Sequence, residues 1–173
     1  MLKRSLSRHP DVASPVTRVE VAVARKAPDV LKLNYTIFGA LDCVALPASQ
    51  PSSRAGALWK HTCFELFLGA DEGYYEFNFS PSSQWAAYRF DAHREGMRDA
   101  AVADPLVEWH VEQASRQLAA TLHLPFDVSG RLGLSAIIED KDGVRSFWAL
   151  AHPPGEPDFH HAACFAAELP PAD

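Results

Sequence analysis

The stretch Thr62-Cys63-Phe64-Glu65-Leu66-Phe67-Leu68, followed by Tyr74-Tyr75-Glu76-Phe77-Asn78-Phe79-Ser80, decides the fold. Phe64, Leu66 and Leu68 alternate with Cys63, Glu65 and Phe67. Phe77 and Phe79 alternate with Glu76, Asn78 and Ser80. Side chains of an extended chain point to opposite faces in turn, so this period of two marks strands with one apolar face. Asp71-Glu72-Gly73 lies between the two runs, and its Gly offers the positive φ of a tight hairpin. The two strands are therefore expected to pair, which would bring Glu65, Glu76 and Asn78 onto one sheet surface.

The same alternation extends along the chain. Val19, Val21 and Val23 alternate with Arg18 and Glu20. Leu31, Leu33, Tyr35 and Ile37 alternate with Lys32, Asn34 and Thr36. Val107, Trp109 and Val111, then Leu118, Ala120, Leu122 and Leu124, then Leu132, Leu134, Ala136 and Ile138 repeat the pattern. Further strands are predicted over 84–90, 145–150 and 164–169. Asp140-Lys141-Asp142-Gly143 marks another hairpin, and Pro81, Pro105 and Pro125 fall at strand ends. The best helical segment, 95–103, is short. Nine or ten short strands with one apolar face each predict an all-β chain: a single antiparallel β-sandwich, jelly-roll-like in topology. Residues 1–15 read as an N-terminal tail and 16–170 as the sandwich. The Pro-, Ser- and Ala-rich segment Ala45 to Ala57 reads as a long surface loop.

Composition narrows the function. The 173 residues are 47% hydrophobic, enough for one domain with its own core. A net charge of -6 gives no basic stripe for nucleic acid. No stretch approaches the roughly 20 apolar residues of a membrane-spanning helix. Cys43, Cys63 and Cys164 are odd in number and form no CxxC pair, so reduced thiols are expected. With no apolar run behind Lys3 and Arg4, a cytoplasmic location is expected. The motifs G-x-S-x-G, G-x-G-x-x-G, H-E-x-x-H and the P-loop are all missing, and no catalytic residue is assigned.

Three constellations could carry chemistry. In the first, Trp59 offers an aromatic plate beside Glu65 and Asn78. A sugar needs this combination, because its C–H face stacks on an indole while its hydroxyls meet fixed acceptors and donors. The competing reading pairs Glu65 with a nearby cation and uses Trp59 to plug the sandwich end. In the second, Trp85 and Arg89 share strand parity. Arg89 could fork onto an anionic ligand, or pack its stem on Trp85 and keep its head in water. In the third, His152, His160 and His161 gather near Cys164. His152 and His160 are weak metal candidates, since their spacing matches no zinc pattern. Met97 with a His could supply the axial pair of a haem.

Trp59 and Glu65, followed by Tyr75-Glu76-Phe77-Asn78, resemble the pattern of family-nine carbohydrate-binding modules. The wider run is also similar to a group of bacterial DOMON-like proteins. It includes Ser80-Pro81-Ser82, Tyr88-Arg89-Phe90-Asp91, Phe147-Trp148-Ala149-Leu150-Ala151-His152-Pro153 and Pro157-Asp158-Phe159-His160. The resemblance spans roughly Val16 to Leu169. It implies a β-sandwich that binds a small ligand without catalysis, with Trp59 stacking on a sugar and Glu65 and Asn78 holding hydroxyls. Relatives of the DOMON type bind either sugars or haem, so haem is the alternative cofactor. A protein-interaction module using an edge strand or the 45–57 loop is the other alternative. The chain departs from the sugar-binding pattern in two places. Its last loop has no second Trp, leaving Phe159 or a neighbouring His as the other wall. Glu76 also stands where the modules carry a basic residue.

Overall fold

A computed structural model describes residues 1–126 and 130–173. The described residues form twelve strands: β1 (Leu2–Arg8), β2 (Val16–Ala27), β3 (Val30–Gly39), β4 (Cys63–Gly69), β5 (Tyr74–Phe79), β6 (Trp85–Phe90), β7 (Arg98–Asp99), β8 (Leu106–Val111), β9 (Arg116–His123), β10 (Arg131–Glu139), β11 (Arg145–Ala149) and β12 (Ala167–Glu168). They lie in one curled antiparallel path, β7-β6-β5-β4-β10-β11-β1-β2-β3-β9-β8, with β12 added to β10. The curl folds the path into a sandwich. One layer runs from β1 to β8, and the other from β7 to β11.

The main core lies between the layers. Val19, Val21, Val23, Leu31, Leu33, Tyr35, Ile37 and Leu118 come from one side. Phe64, Leu66, Leu68, Phe77, Phe79, Leu134 and Ile138 come from the other. The alternating pattern sends these residues inward, because only one register buries the whole apolar set.

The first eight residues are not a tail. Leu2 to Leu6 pair with β2, and Ser7 and Arg8 cross over to pair with β11. β1 thus stitches the two layers together at a corner. Only Leu6 is buried in it, so the strand carries no alternating apolar signal. The segment 95–103 is not helical either. Arg98 and Asp99 pair as β7 on the edge of β6, and the only helical turns among the described residues are 3₁₀ segments at Leu41–Cys43, Leu58–Lys60 and Ala162–Cys164. The Ala45–Ala57 segment is a loop, as expected, but it is tied down. Gln50 N–H bonds to the Ser82 carbonyl and Ala55 N–H to the Trp85 carbonyl, both at 2.8 Å.

The second layer also buries its outer face. Phe67, Tyr74, Tyr88, Phe90, Ile137 and Phe159 form a smaller apolar cluster there, packed by Trp59, Phe147 and Phe165. The covering material is the 3₁₀ turn at Leu58–Lys60 and the loop after β11. This cluster frames the candidate site.

The β4–β5 hairpin that aligns the site depends on Gly73. Its φ is +64°, and a Cβ there would sit 2.0 Å from the Phe90 carbonyl oxygen and 2.8 Å from that of Asp91. Both obstacles are backbone. Gly73→Ala is therefore expected to lower stability by at least about 1 kcal/mol, because it combines a left-handed conformation with a clash that no rotamer change relieves. Urea melts of the variant check this.

Candidate functional site

The site is built on the outer face of β6, β5, β4, β10 and β11. Pairing places Glu65 opposite Asn78 on one side and opposite Ser135 on the other. Glu76 lies two residues along β5, opposite Phe67 and Tyr88. Glu65 and Glu76 are thus diagonal neighbours on adjacent strands, within reach of one another. Above them opens a cavity of about 340 Å³. The two carboxyls form its polar floor. Trp59, Phe90, Ile137, Phe147, Phe159 and His160 wall it, and Arg94, Met97, Arg145 and Pro157 complete the lining.

Both floor acids are almost fully buried, with Glu65 2% exposed and Glu76 5%. Glu65 Oε2 accepts a hydrogen bond from Ser135 Oγ at 2.8 Å. Glu76 Oε1 accepts one from Asn78 Nδ2 at 2.8 Å. Burial disfavours the charged form and pushes the Glu65 carboxyl up to about 8, helped by the nearby charge of Glu76. Burial likewise raises Glu76 to about 7, against the opposing effects of Asn78 and Arg94.

His160 closes one wall through a chain of contacts. The Arg94 backbone N–H donates to Tyr74 Oη at 3.1 Å, and Tyr74 Oη lies 2.7 Å from His160 Nδ1. A Tyr74 hydroxyl donating to Nδ1 leaves the ring proton on Nε2, which faces Glu76 Oε2 at 3.7 Å. Burial and the Arg94 charge hold His160 down to about 4, so its ring is neutral at pH 7. Arg94 adopts φ 57° and gives its guanidinium to Asp158 Oδ1, at 2.9 Å from Nη2 and 3.2 Å from Nε. Burial works against the Asp158 carboxylate, yet hydrogen bonds from His93 and Arg94 hold it below its usual range.

The residues singled out in the sequence divide into three groups. Trp59, Glu65 and Phe159 line the cavity. Trp59 meets the Tyr88 ring edge-on at 6.2 Å, and Phe159 packs on Phe147 at 6.2 Å. Asn78 is fully buried beneath the floor, where its amide fixes Glu76 and its Oδ1 accepts from the Cys63 thiol. Trp85 and Arg89 are elsewhere. Both point to the opposite face of β6: Trp85 is part of the main core and carries the Arg54 guanidinium over its ring at 4.5 Å. Arg89 lies over the Tyr75 ring at 4.9 Å and donates to the carbonyls of Glu72, Tyr74 and Phe90. Their shared parity was legible, but it is the parity of Phe77 and Leu66, which face the core.

The structure also separates the histidines. His152 packs edge-on against His9 at 5.1 Å, away from His160. Among the described residues no three His, Cys, Asp or Glu side chains gather in a way that could hold a metal ion. Sequence reasoning missed Phe90, Arg94, Ile137, Arg145 and Phe147. The alternation in β6 could have found Phe90, since it lies opposite in parity to Trp85. The others arrive from loops and from distant strands.

Fold and cavity together define a β-sandwich with a walled pocket on its outer face. No family model matches the chain, and no curated protein sequence matches it. Among solved structures it resembles a candidate carbohydrate-binding protein from Bacteroides uniformis ATCC 8492. The TM-score is 0.62 at 14% identity, over 94% of this chain and 83% of that one. It also resembles a family 9 carbohydrate-binding module from Caldicellulosiruptor kristjanssonii, solved with glucose and with cellotriose. There the TM-score is 0.47 at 12% identity, over 84% of this chain and 72% or 70% of the other. At these identities the likeness to the Bacteroides protein is one of fold.

Proposed function

We propose that the protein binds a saccharide or sugar-derived group in this cavity without transforming it. The observation that carries the reading is the combination of a buried carboxyl floor with aromatic walls in one cavity of about 340 Å³. Apolar walls with a few fixed polar groups suit a small polar ligand. Trp59 offers the stacking plate, and Glu65 and Glu76 accept from hydroxyls. Asn78 acts from below by orienting Glu76 rather than by touching the ligand. The name of the Bacteroides neighbour, a candidate carbohydrate-binding protein, is consistent with this reading.

Haem fits these residues poorly. Met97 and His160 do line the same cavity. However, Tyr74 Oη engages His160 Nδ1, and Nε2 faces Glu76, so neither ring nitrogen is directed at an iron.

Tryptophan fluorescence tests the saccharide reading. Trp85 and Trp148 are buried in the core, whereas Trp59 lines the cavity. A panel of mono- and oligosaccharides is expected to give a saturable change in emission. Trp59→Ala is expected to remove that change and to weaken binding about tenfold, or about 1.4 kcal/mol. A folded protein with no response to any saccharide, by fluorescence or calorimetry, would refute the reading.

A further inference from the structure

The floor of the cavity holds two acids and no cation. The Glu65 carboxyl forms one hydrogen bond, from Ser135, and among the described residues nothing donates to its Oε1. Glu76 is held by Asn78, and its nearest basic group is His160, which is neutral. The Asn78 amide donates to Glu76 and not toward the cavity. Arg94 lines the cavity, but its guanidinium is bound by Asp158. Arg145 is exposed where it meets the cavity. Buried carboxylates are normally paired with a cation or bound to a metal, because an isolated charge in a dry site is costly. Here the two carboxyls open instead into a cavity walled by Trp59, Phe90, Phe147 and Phe159. Aromatic faces attract cations as well as sugar rings.

We propose that the ligand supplies the missing cation: it carries an ammonium group that seats between Glu65 and Glu76 while its apolar face lies against Trp59. Within the saccharide reading, on which this inference rests, the ligand class is an amino sugar with an unblocked amine. An ammonium brings up to three donors to a floor that offers acceptors, and it offsets the charge that each acid takes on as it gives up the proton that burial holds. A neutral sugar also donates, but it leaves the second acid either protonated or uncompensated. Acetylating the amine removes its charge and adds bulk at the floor of the cavity.

The test is calorimetric titration of the full chain at pH 7 with glucose, glucosamine, 6-amino-6-deoxyglucose, N-acetylglucosamine and cyclohexylamine. At least one of the two amino sugars is expected to bind ten times or more tighter than glucose and N-acetylglucosamine. Glu65→Gln and Glu76→Gln, which keep the shape of the floor, are expected to bring the amino sugar down to the level of glucose. Equal or tighter binding of glucose would overturn the ammonium inference and leave the saccharide reading standing. Binding of cyclohexylamine with no response to any sugar would do the reverse. Silence from all five ligands would remove both. Two other outcomes would overturn the inference: an amine preference that survives in the folded Gln variants, or a saturable response to Ca²⁺ or Mn²⁺ alone that displaces the amine.

Discussion

Phe64→Ala is expected to lower the stability of the protein by about 3–5 kcal/mol. Phe64 is fully buried in β4. It pairs with Phe79 on one side and Ala136 on the other. Its ring reaches across the sandwich to Tyr35 of β3 at 5.2 Å and Trp109 of β8 at 6.0 Å. Removing it takes away contacts that join the two layers. The strands around it are held in register on both sides, so they cannot collapse into the hole, and the residual cavity adds to the lost transfer energy. For a chain of this size the melting temperature should fall by something on the order of 10 °C. The effect should reach the site as well. Tyr35 Oη donates to the Glu65 carbonyl at 2.6 Å, so the contact that closes the core also sets the strand that carries Glu65. Thermal and urea melts measure the loss, and a drop below about 1 kcal/mol would mean that the two layers do not lean on this ring.

Much of this arrangement was legible in the sequence. The alternation in 62–68 and 74–79 predicts both strands, their hairpin and the shared face of Glu65, Glu76 and Asn78. Period two is a geometric property of an extended chain, so it survives whatever packs against it. What it cannot report is how deeply a polar face is buried. Glu65, Glu76 and Asn78 read as the non-core face of the sheet, yet loops from 58–60 and 157–160 cover them. Loop packing depends on distant partners, such as Asp158 with Arg94 or Tyr74 with His160, and leaves no local pattern. β1 escaped for a related reason. A strand that crosses from one layer to the other at a corner buries little, so Leu2–Arg8 looks like a solvated basic tail. Trp85 shows the opposite difficulty. An aromatic next to an Arg suggests a binding wall, but strand parity, followed through from Phe77 and Leu66, already sends both to the core side.

Stability is expected to fall as pH rises from 6.5 to 8, by about 2–3 kcal/mol. The reason lies in the floor acids. Burial lifts Glu65 to about 8 and Glu76 to about 7 in the folded chain, from an ordinary value of 4.5. Above pH 4.5 the unfolded chain has lost these protons while the folded chain keeps them. Unfolding then releases protons, and each pH unit gained favours the unfolded state until the folded pKa is passed. The histidines act in the opposite direction at lower pH. His160 is held down to about 4 and His152 is also lowered, so between about pH 4 and 6.5 the unfolded chain binds protons that the folded one refuses. Those contributions raise stability with pH and mask the acids below 6.5. The lowered carboxylates Asp158 and Asp173 act only below their ordinary 3.8. The raised groups Tyr35, Cys63 and Cys164 act only near or above pH 9. The window from 6.5 to 8 therefore belongs to the acid pair. Melts of the double variant Glu65→Gln/Glu76→Gln should be flat across it, and the variant should be more stable than the parent at pH 8. A parent chain equally stable at both ends would mean that the floor acids are solvated and already charged in the folded chain.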